Sequence, residues 1–233
     1  MTKAERAHRI AVIEAARAMN ASGLNQGTSG NVSVRHGDSM LITPSATPYD
    51  RMTPEMIAAM PIEGERGSWT GPLKPSTEWP FHLDILRARP EINAVVHAHS
   101  TYATVLSIAR RPVPACHYMI AAFGGADIRC AGYARYGTKE LSDLAVAALV
   151  DRMGCLLSNH GMIAIGPTLE RAMWLAVELE SIARQYYLSL PLGPVILSDA
   201  EITDVMSGFA GYGLKPAAPS TKSPLARKRA PRG

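Results

Sequence analysis

The sequence predicts an α/β protein in which helices cover a sheet. Segments with apolar residues at helical spacing are interspersed with short runs that alternate in polarity or are rich in β-branched residues. The length of 233 residues fits one domain with a substantial core better than two small domains. No internal repeat is visible, and no strand leads into a glycine-rich nucleotide loop and a helix.

The first third of the chain is predicted to form a helix, a β-hairpin and a long loop. Apolar residues recur at helical spacing within residues 3–22. Residues 31–35 and 39–43 each alternate between apolar and polar side chains across a short turn, which predicts a hairpin. Prolines and glycines punctuate residues 44–75, so we expect loops there, with a short helical turn near Glu55.

The remainder of the chain mixes helices with apolar strands. Ser76 or Thr77 can cap a helix over residues 78–89, because a hydroxyl at that position accepts hydrogen bonds from first-turn amides. Residues 93–99 form an apolar run typical of a strand, and residues 155–165 have the pattern of a second hairpin. Four further helices are predicted, over residues 101–109, 138–151, 167–190 and 199–208.

Composition argues against a membrane protein and against a disulfide-stabilised one. The chain is 47% hydrophobic and 19% charged, and no stretch approaches the roughly 18 consecutive apolar residues of a spanning helix. The start shows no apolar signal core, so the cytoplasm is the expected location. Cys116, Cys130 and Cys155 have no paired spacing, and we expect them to be small buried hydrophobic residues.

The positive charge of the chain is concentrated at its C-terminal end. Six of the 24 basic residues lie within residues 215–233, which contain no acid, so that 18 basic residues remain elsewhere against 20 acidic ones. A tail of this composition cannot bury enough apolar surface to fold alone. We therefore predict a single domain over residues 1–214 and a disordered basic tail, and we do not expect the tail to bind nucleic acid.

Three histidines have a spacing that suits a metal site. His97 and His99 are two residues apart on a predicted strand, so both side chains point to one face of the sheet and can bind one ion. His160, in the turn of the second predicted hairpin, could supply a third nitrogen and leave a coordination position open. A His-x-His pair alone is more often structural, so this motif needs support from other residues.

An acidic residue and several small polar residues lie at the predicted start of the helix over residues 78–89. Glu78 can be a first-turn acid that stabilises a helix, or a general base that approaches a metal and removes a proton beside a polarised carbonyl. The hydroxyls of Ser76 and Thr77 at the same helix start suit a phosphate group. The turn that ends in Gly30 and Asn31 could bind the same anion.

The remaining candidates are ordinary residues by composition. Tyr118 and Tyr212 are expected to pack in the usual way unless one of them lies beside a developing alkoxide, where it could donate a proton. Four other histidines lack partners at ligand spacing and are expected to be structural or solvated: His8, His36, His82 and His117.

Seven segments together resemble the class II aldolase family of zinc-dependent sugar-phosphate aldolases. The resemblance covers nearly the whole chain. The segments are residues 23–35, 41–44, 75–79, 95–99, 117–122, 159–161 and 212–214. The family resemblance implies a three-layer α/β/α fold with a central, predominantly antiparallel sheet, of the kind also found in the adducin head.

The resemblance also implies roles for individual residues. Zn²⁺ would be bound by His97, His99 and His160, and Glu78 would be the catalytic base. The residues implied in phosphate binding are Gly30, Asn31, Ser45, Ser76 and Thr77. Tyr118 would act as the acid in a neighbouring subunit's site with help from Tyr212, which requires a homo-oligomer, typically a tetramer in this family.

The chain departs from the family at one loop. Where the family often has Thr-Gly, this sequence has Ser45-Ala46. If the second position of that loop needs a positive φ, alanine would be strained there. We therefore regard a backbone contact from this loop to phosphate as open.

The reaction implied by the resemblance is the reversible cleavage of a ketose 1-phosphate to dihydroxyacetone phosphate and an aldehyde. L-Fuculose 1-phosphate, a 5-deoxypentulose 1-phosphate and 5-methylthioribulose 1-phosphate all fit this chemistry. Sugar-phosphate 4-epimerases and decarboxylases of the same superfamily are alternatives, although the epimerases usually carry Asp where this chain has Glu78. A non-catalytic domain like the adducin head is a further alternative, but such domains lose the zinc histidines.

Overall fold

A sheet of eight strands runs through the middle of the computed structural model, which describes residues 1–209. Its order is β3-β2-β1-β4-β8-β7-β6-β5, and every neighbouring pair is antiparallel except β6 and β7. The strands are β1 Asn31–His36, β2 Ser39–Ile42, β3 Ala58–Pro61, β4 Ala94–Ala98, β5 Val113–Pro114, β6 Asp127–Ala131, β7 Gly154–Leu157 and β8 Gly161–Gly166.

Helices cover both faces of this sheet. They are α1 Lys3–Ala21, α2 Trp79–Ala88, α3 Thr101–Ile108, α4 Lys139–Ala148, α5 Leu169–Ser189 and α6 Asp199–Phe209. Helices α1, α3 and α5 share one apolar core with the sheet, whereas α2 and α4 pack in a second core on the opposite face. The predicted three-layer α/β/α fold with a predominantly antiparallel sheet is therefore confirmed.

The alternation of side chains along β4 decides where its histidines point. Val96 belongs to the core on the α1 and α5 side, and Val95 belongs to the core on the α2 and α4 side. Because successive side chains of a strand alternate, His97 lies on the same face as Val95. The ring of His97 contacts Phe81 of α2, with 5.3 Å between the ring centroids.

Both predicted hairpins are present, and in each the strand pairing ends at the predicted turn. His36 pairs with Ser39 in the first hairpin, and Leu157 pairs with Gly161 in the second. The sequence did not reveal β3 in the predicted loop region, nor β5 and β6 before α4. These strands are short, and β3 is built of Ala-Ala-Met-Pro, so their pairing depends on neighbouring strands rather than on local preference.

The prediction that Ser76 or Thr77 caps the helix is wrong. Helix α2 begins at Trp79, and Glu78 occupies the N-cap position without forming a side-chain capping hydrogen bond. The Ser76 hydroxyl instead accepts a hydrogen bond from the backbone N–H of Glu78, at 3.3 Å. The carboxylate that would normally cap this helix is directed elsewhere, toward His97 and His160.

Two other expectations have mixed outcomes. All three cysteines are free, but only Cys155 is buried, and Cys116 and Cys130 are partly exposed. No helix of the described residues is long and apolar enough to cross a membrane. Tyr212, the domain boundary at residue 214 and the basic tail all lie outside the described residues.

Candidate metal centre and substrate pocket

Four side chains from separate parts of the chain meet at one point. Glu78 precedes α2, His97 lies in β4, His99 follows β4, and His160 lies in the turn between β7 and β8. One ligand atom of each residue lies within 4.8 Å of those of the other three. The predicted metal ligands and the predicted base thus form a single cluster.

The backbone brings the β7–β8 turn very close to the end of β4. A Cβ atom on Gly161 would lie 2.6 Å from the carbonyl oxygen of Ala98 and 2.9 Å from the ring of His99. Only glycine permits this approach without displacing the chain. Asn159 has a φ of +56°, and the N–H of His160 donates to the carbonyl of Leu157 at 3.0 Å, which tightens the turn.

The donor atoms of the cluster are spaced as ligands of one ion would be. Nε2 of His97 lies 3.0 Å from Nε2 of His99 and 3.2 Å from Oε2 of Glu78. Nε2 of His160 lies 2.9 Å from Oε1 of Glu78. Ligands bound at about 2 Å from a divalent metal are themselves about 3 Å apart.

The protonation of the rings also suits a metal. Nδ1 of His97 lies 2.9 Å from the carbonyl oxygen of Met162, and a proton on Nδ1 leaves the lone pair of Nε2 facing the cluster. Burial, together with the nearby His97 and His160, lowers the pKa of His99 to about 4. The ring of His99 is therefore in the neutral form that binds metals at neutral pH.

A buried carboxylate oxygen provides a further test of whether an ion fits. Glu78 is only 6% exposed. Its Oε1 lies near His160, but not in hydrogen-bonding geometry, so it has no hydrogen-bond donor among the described residues. Such an oxygen is costly to bury unless a cation is near it. With this carboxylate oxygen beside them, the three imidazole nitrogens form a donor set that could hold a divalent metal ion.

The carboxylate of Glu78 remains charged despite its burial. Burial on its own would raise the pKa of Glu78. The proximity of His97 and the contacts with His160 and His97 outweigh this effect and hold the pKa below its usual range. The group is therefore ionised at neutral pH and can accept a proton.

A cavity of about 400 Å³ opens beside the cluster. All five residues implied in phosphate binding lie in its wall: Gly30, Asn31, Ser45, Ser76 and Thr77. A Cβ atom on Gly30 would lie 2.8 Å from the carbonyl oxygen of His97, so glycine is required where this wall meets β4. The hydroxyls and the amide give this part of the cavity the character of an anion site.

The loop that departs from the family adopts, at Ala46, the positive φ that is unfavourable for alanine. Ala46 has a φ of +50°, which costs a non-glycine residue about 1 kcal/mol. The N–H of Ser45 donates to the carbonyl of Lys74 at 3.0 Å. Ser45 lines the cavity, while its backbone N–H is already used within the protein.

Two tyrosines other than Tyr118 line the cavity of the described chain. Tyr118 is 48% exposed and does not line the cavity. Tyr133 and Tyr136, which the sequence did not single out, do line it and are 59% and 62% exposed. Both follow β6 in an irregular segment without periodicity, so only their position after an unpredicted strand could have indicated them.

The other histidines separate into two groups. His8 and His36 contact each other away from the cluster, and His117 accepts a hydrogen bond from the N–H of Met119. His82, expected to be structural or solvated, is completely buried and contacts Asn31 in the wall of the cavity. The sequence did not predict this contact, because the spacing between Asn31 and His82 gives no sign that the two residues are neighbours in the fold.

A cluster of three histidines and one carboxylate that could hold a metal ion, beside a cavity lined by serine and threonine residues, is the arrangement of a metal-dependent enzyme rather than of a simple binding domain. A model of the family described as Class II Aldolase and Adducin N-terminal domain matches residues 10–187, and this chain belongs to that family. The family resemblance of the sequence is confirmed.

Relatives with assigned activities agree with the enzyme class. The chain is 50% identical to the 5-methylthioribulose-1-phosphate/5-deoxyribulose-1-phosphate aldolase of Rhodospirillum rubrum over 88% of this chain and 92% of that protein. It is 48% identical to the L-fuculose phosphate aldolase of Escherichia coli K12, covering 88% and 94% respectively. A solved structure of an L-fuculose 1-phosphate aldolase matches with a TM-score of 0.83 and 39% identity, over 87% and 96% of the two chains.

These similarities confirm that the chain is a class II aldolase, an enzyme that cleaves a carbon–carbon bond. They do not favour the non-catalytic domain like the adducin head. The presence of all three histidines together with Glu78 is consistent with this outcome, because a binding domain has no need of a buried carboxylate beside three imidazoles.

We expect His97→Ala to weaken binding of a divalent metal at least about tenfold, because even the loss of an outer-shell partner of a metal ligand has effects of about this size or larger. His8→Ala, which removes an exposed histidine outside the cluster, is the matched control and should bind metal like the unaltered protein. Metal content after dialysis against a graded chelator, measured by atomic emission, checks both variants. Unchanged metal content in His97→Ala would contradict the assignment of this cluster as the metal site.

Proposed function

We propose that this enzyme reversibly cleaves a ketose 1-phosphate to dihydroxyacetone phosphate and an aldehyde, with Zn²⁺ held by His97, His99 and His160. The observation that carries the proposal is the position of an ionised, buried Glu78 between these histidines and a cavity walled by hydroxyls and an amide. The names of the most similar relatives, which are aldolases of 5-methylthioribulose, 5-deoxyribulose and L-fuculose phosphates, support the substrate class.

The phosphate group would bind to the wall of the cavity that contains the hydroxyl-bearing residues Ser76 and Thr77. Ser76 and Thr77 stand immediately before α2, where the first amides of the helix and its dipole favour an anion. Gly30, Asn31 and Ser45 line the same cavity. No lysine or arginine lines this cavity among the described residues, so hydrogen-bond donors would carry the recognition.

The metal and Glu78 divide the chemistry between them. Bound zinc supplies a Lewis acid that polarises the ketone and stabilises the negative charge left when the carbon–carbon bond breaks. In the direction of synthesis, Glu78 removes a proton from the carbon next to the carbonyl of dihydroxyacetone phosphate. Its Oε2 is held by the amide of Asn31 at 2.8 Å, whereas Oε1 lacks a hydrogen-bond donor and is the oxygen available to take the proton.

The proton donor for the aldehyde oxygen would come from another subunit. Tyr118 is half exposed at the start of the short helix Tyr118–Phe123 and lies outside the cavity of its own chain. Leu192 and Val195 are 85% and 87% exposed and offer apolar surface that a second copy could cover. We therefore propose a homotetramer in which Tyr118 completes a neighbouring site, and the part played by Tyr212 belongs to the same proposal.

We expect the zinc-loaded enzyme to release dihydroxyacetone phosphate from at least one of three substrates: L-fuculose 1-phosphate, 5-deoxyribulose 1-phosphate and 5-methylthioribulose 1-phosphate. A dehydrogenase that reduces dihydroxyacetone phosphate reports its release, and a chelator should abolish the signal because the reaction needs the metal. Ranking the three substrates identifies the preferred aldehyde. Absence of release from all three by metal-loaded protein would instead favour an epimerase or a decarboxylase, which do not liberate this fragment.

Glu78→Gln should lower kcat by roughly a hundredfold to ten-thousandfold, because the amide cannot accept the proton in the reaction. The substitution preserves shape, and metal content measured on the same sample separates loss of the base from loss of the metal. Glu55→Gln, which alters an exposed acid remote from the cavity, is the control and should retain full activity. Near-normal turnover of Glu78→Gln with bound zinc would remove Glu78 from the mechanism.

Mixing two inactive variants should restore activity if Tyr118 acts across a subunit boundary. Tyr118→Phe and Glu78→Gln each lack one group, but a mixed oligomer contains sites that combine Glu78 of one chain with Tyr118 of another. We expect activity to appear after subunit exchange, with exchange itself followed by mass spectrometry. Exchange without recovery of activity, or normal turnover of Tyr118→Phe alone, would contradict this arrangement.

A further inference from the structure

A line of buried polar side chains extends from Glu78 away from the cavity. The amide Nδ2 of Asn31 lies 2.8 Å from Oε2 of Glu78. Oδ1 of the same amide lies 2.5 Å from Nε2 of His82, and Nδ1 of His82 lies 2.7 Å from the hydroxyl of Ser33. Ser33 and His82 are completely buried, so neither of these groups can obtain an alternative partner from water.

The backbone explains why these four side chains interleave. Asn31 and Ser33 are two residues apart on β1 and therefore face the same side of the sheet. Glu78 and His82 are four residues apart at the start of α2 and therefore lie on the same side of that helix. Helix α2 packs on this face, so the two pairs meet in alternating order.

The direction of every hydrogen bond in this line follows from the orientation of the Asn31 amide. Its NH₂ group lies against Oε2 of Glu78 and donates a hydrogen bond to it. Its carbonyl oxygen then faces His82, and Nε2 of the ring must carry the proton that is donated to it. Nδ1 is left as an acceptor for the hydroxyl proton of Ser33. Burial lowers the pKa of His82 to about 3, in agreement with a neutral ring.

We propose that His82 is a positioning residue that fixes the amide of Asn31, so that this amide anchors Oε2 of Glu78 and leaves Oε1 free to take the substrate's proton. Without the N–H of His82, the amide of Asn31 can turn over and place its oxygen against the carboxylate. Two acceptors would then face each other in a buried site, and Glu78 would rotate or lose its fixed position. The inference rests on the proposed function, because it assigns the base to Oε1.

A purely structural role for His82 makes different predictions. A buried histidine that only satisfies its own polar atoms would affect stability. Its removal would then have the same effect whether or not Asn31 is present. A role in holding phosphate through Asn31 would raise KM for the ketose 1-phosphate and leave kcat unchanged. Positioning of the base instead lowers kcat, because the proton transfer loses its geometry while the substrate still binds.

Steady-state kinetics on the zinc-loaded enzyme test these alternatives. We expect His82→Leu to lower kcat by roughly ten- to a hundredfold with KM changed less than about threefold. His82→Gln, whose side-chain N–H can reach Oδ1 of Asn31, should recover most of the loss. In an Asn31→Ala background, His82→Leu should add little further loss, because the residue through which it acts is already gone. His36→Gln, an alteration outside the cavity, is the control for replacing a histidine.

Three kinetic outcomes would overturn the proposal: a loss confined to KM, failure of His82→Gln to exceed His82→Leu, or an equal effect of His82→Leu in both backgrounds. A measurement on the unaltered protein covers the case in which the variants do not fold. Solid-state ¹⁵N NMR of histidine-labelled enzyme should show His82 as a neutral ring with the proton on Nε2, assigned through its contact with Phe81. A proton on Nδ1 would overturn the proposal.

The NMR result does not depend on catalysis, so the two proposals can fail separately. If no ketose 1-phosphate is cleaved, the proposed function fails while the direction of the hydrogen bonds can still be established. If cleavage occurs but the proton resides on Nδ1 of His82, the proposed function stands and the positioning role is lost.

Discussion

The structure depends above all on how an ionised carboxylate is held in the protein interior. An unpaired buried charge is strongly unfavourable, so Glu78 is tolerated only because His97, His160 and Asn31 surround it. This requirement explains why Glu78 stands at the N-cap of α2 without capping it. The helix loses a common stabilising interaction at its first turn, and the carboxylate is available for the cluster instead.

The antiparallel sheet supplies the positions that this arrangement needs. Asn31 is the direct cross-strand partner of His97, so the register of β1 and β4 alone places the amide beside the first histidine. β4 also pairs with β8, which brings His160 to the end of the same strand. The backbone segments at the end of β4 approach so closely that neither Gly30 nor Gly161 has room for a Cβ atom. Strand pairing therefore fixes the histidines and Asn31, and the start of α2 adds Glu78.

The sequence allowed the parts of this site that have a regular period to be predicted. Alternation along β4 indicated that His97 and His99 share a face, and the turn signal around His160 indicated a hairpin tip. The position of Glu78 beside them was one of two interpretations of its place in the sequence, and the family resemblance favoured it. Tyr133, Tyr136 and His82 were missed because their importance comes from contacts between distant segments, and no local pattern encodes which strand lies opposite which helix. The short strands β3, β5 and β6 were missed for the same reason.

The residues around the cavity differ in burial in a way that bears on substrate choice. Glu78 and Asn31 are buried groups of one chain, held by strand register and by hydrogen bonds. Tyr133 and Tyr136 are exposed in the wall of the same cavity, and Tyr118 of the same chain does not line it. Changes at exposed positions are tolerated by the fold far more easily than changes in the cluster. Relatives that are 50% and 48% identical to this chain can therefore have different named substrates while both are named as aldolases.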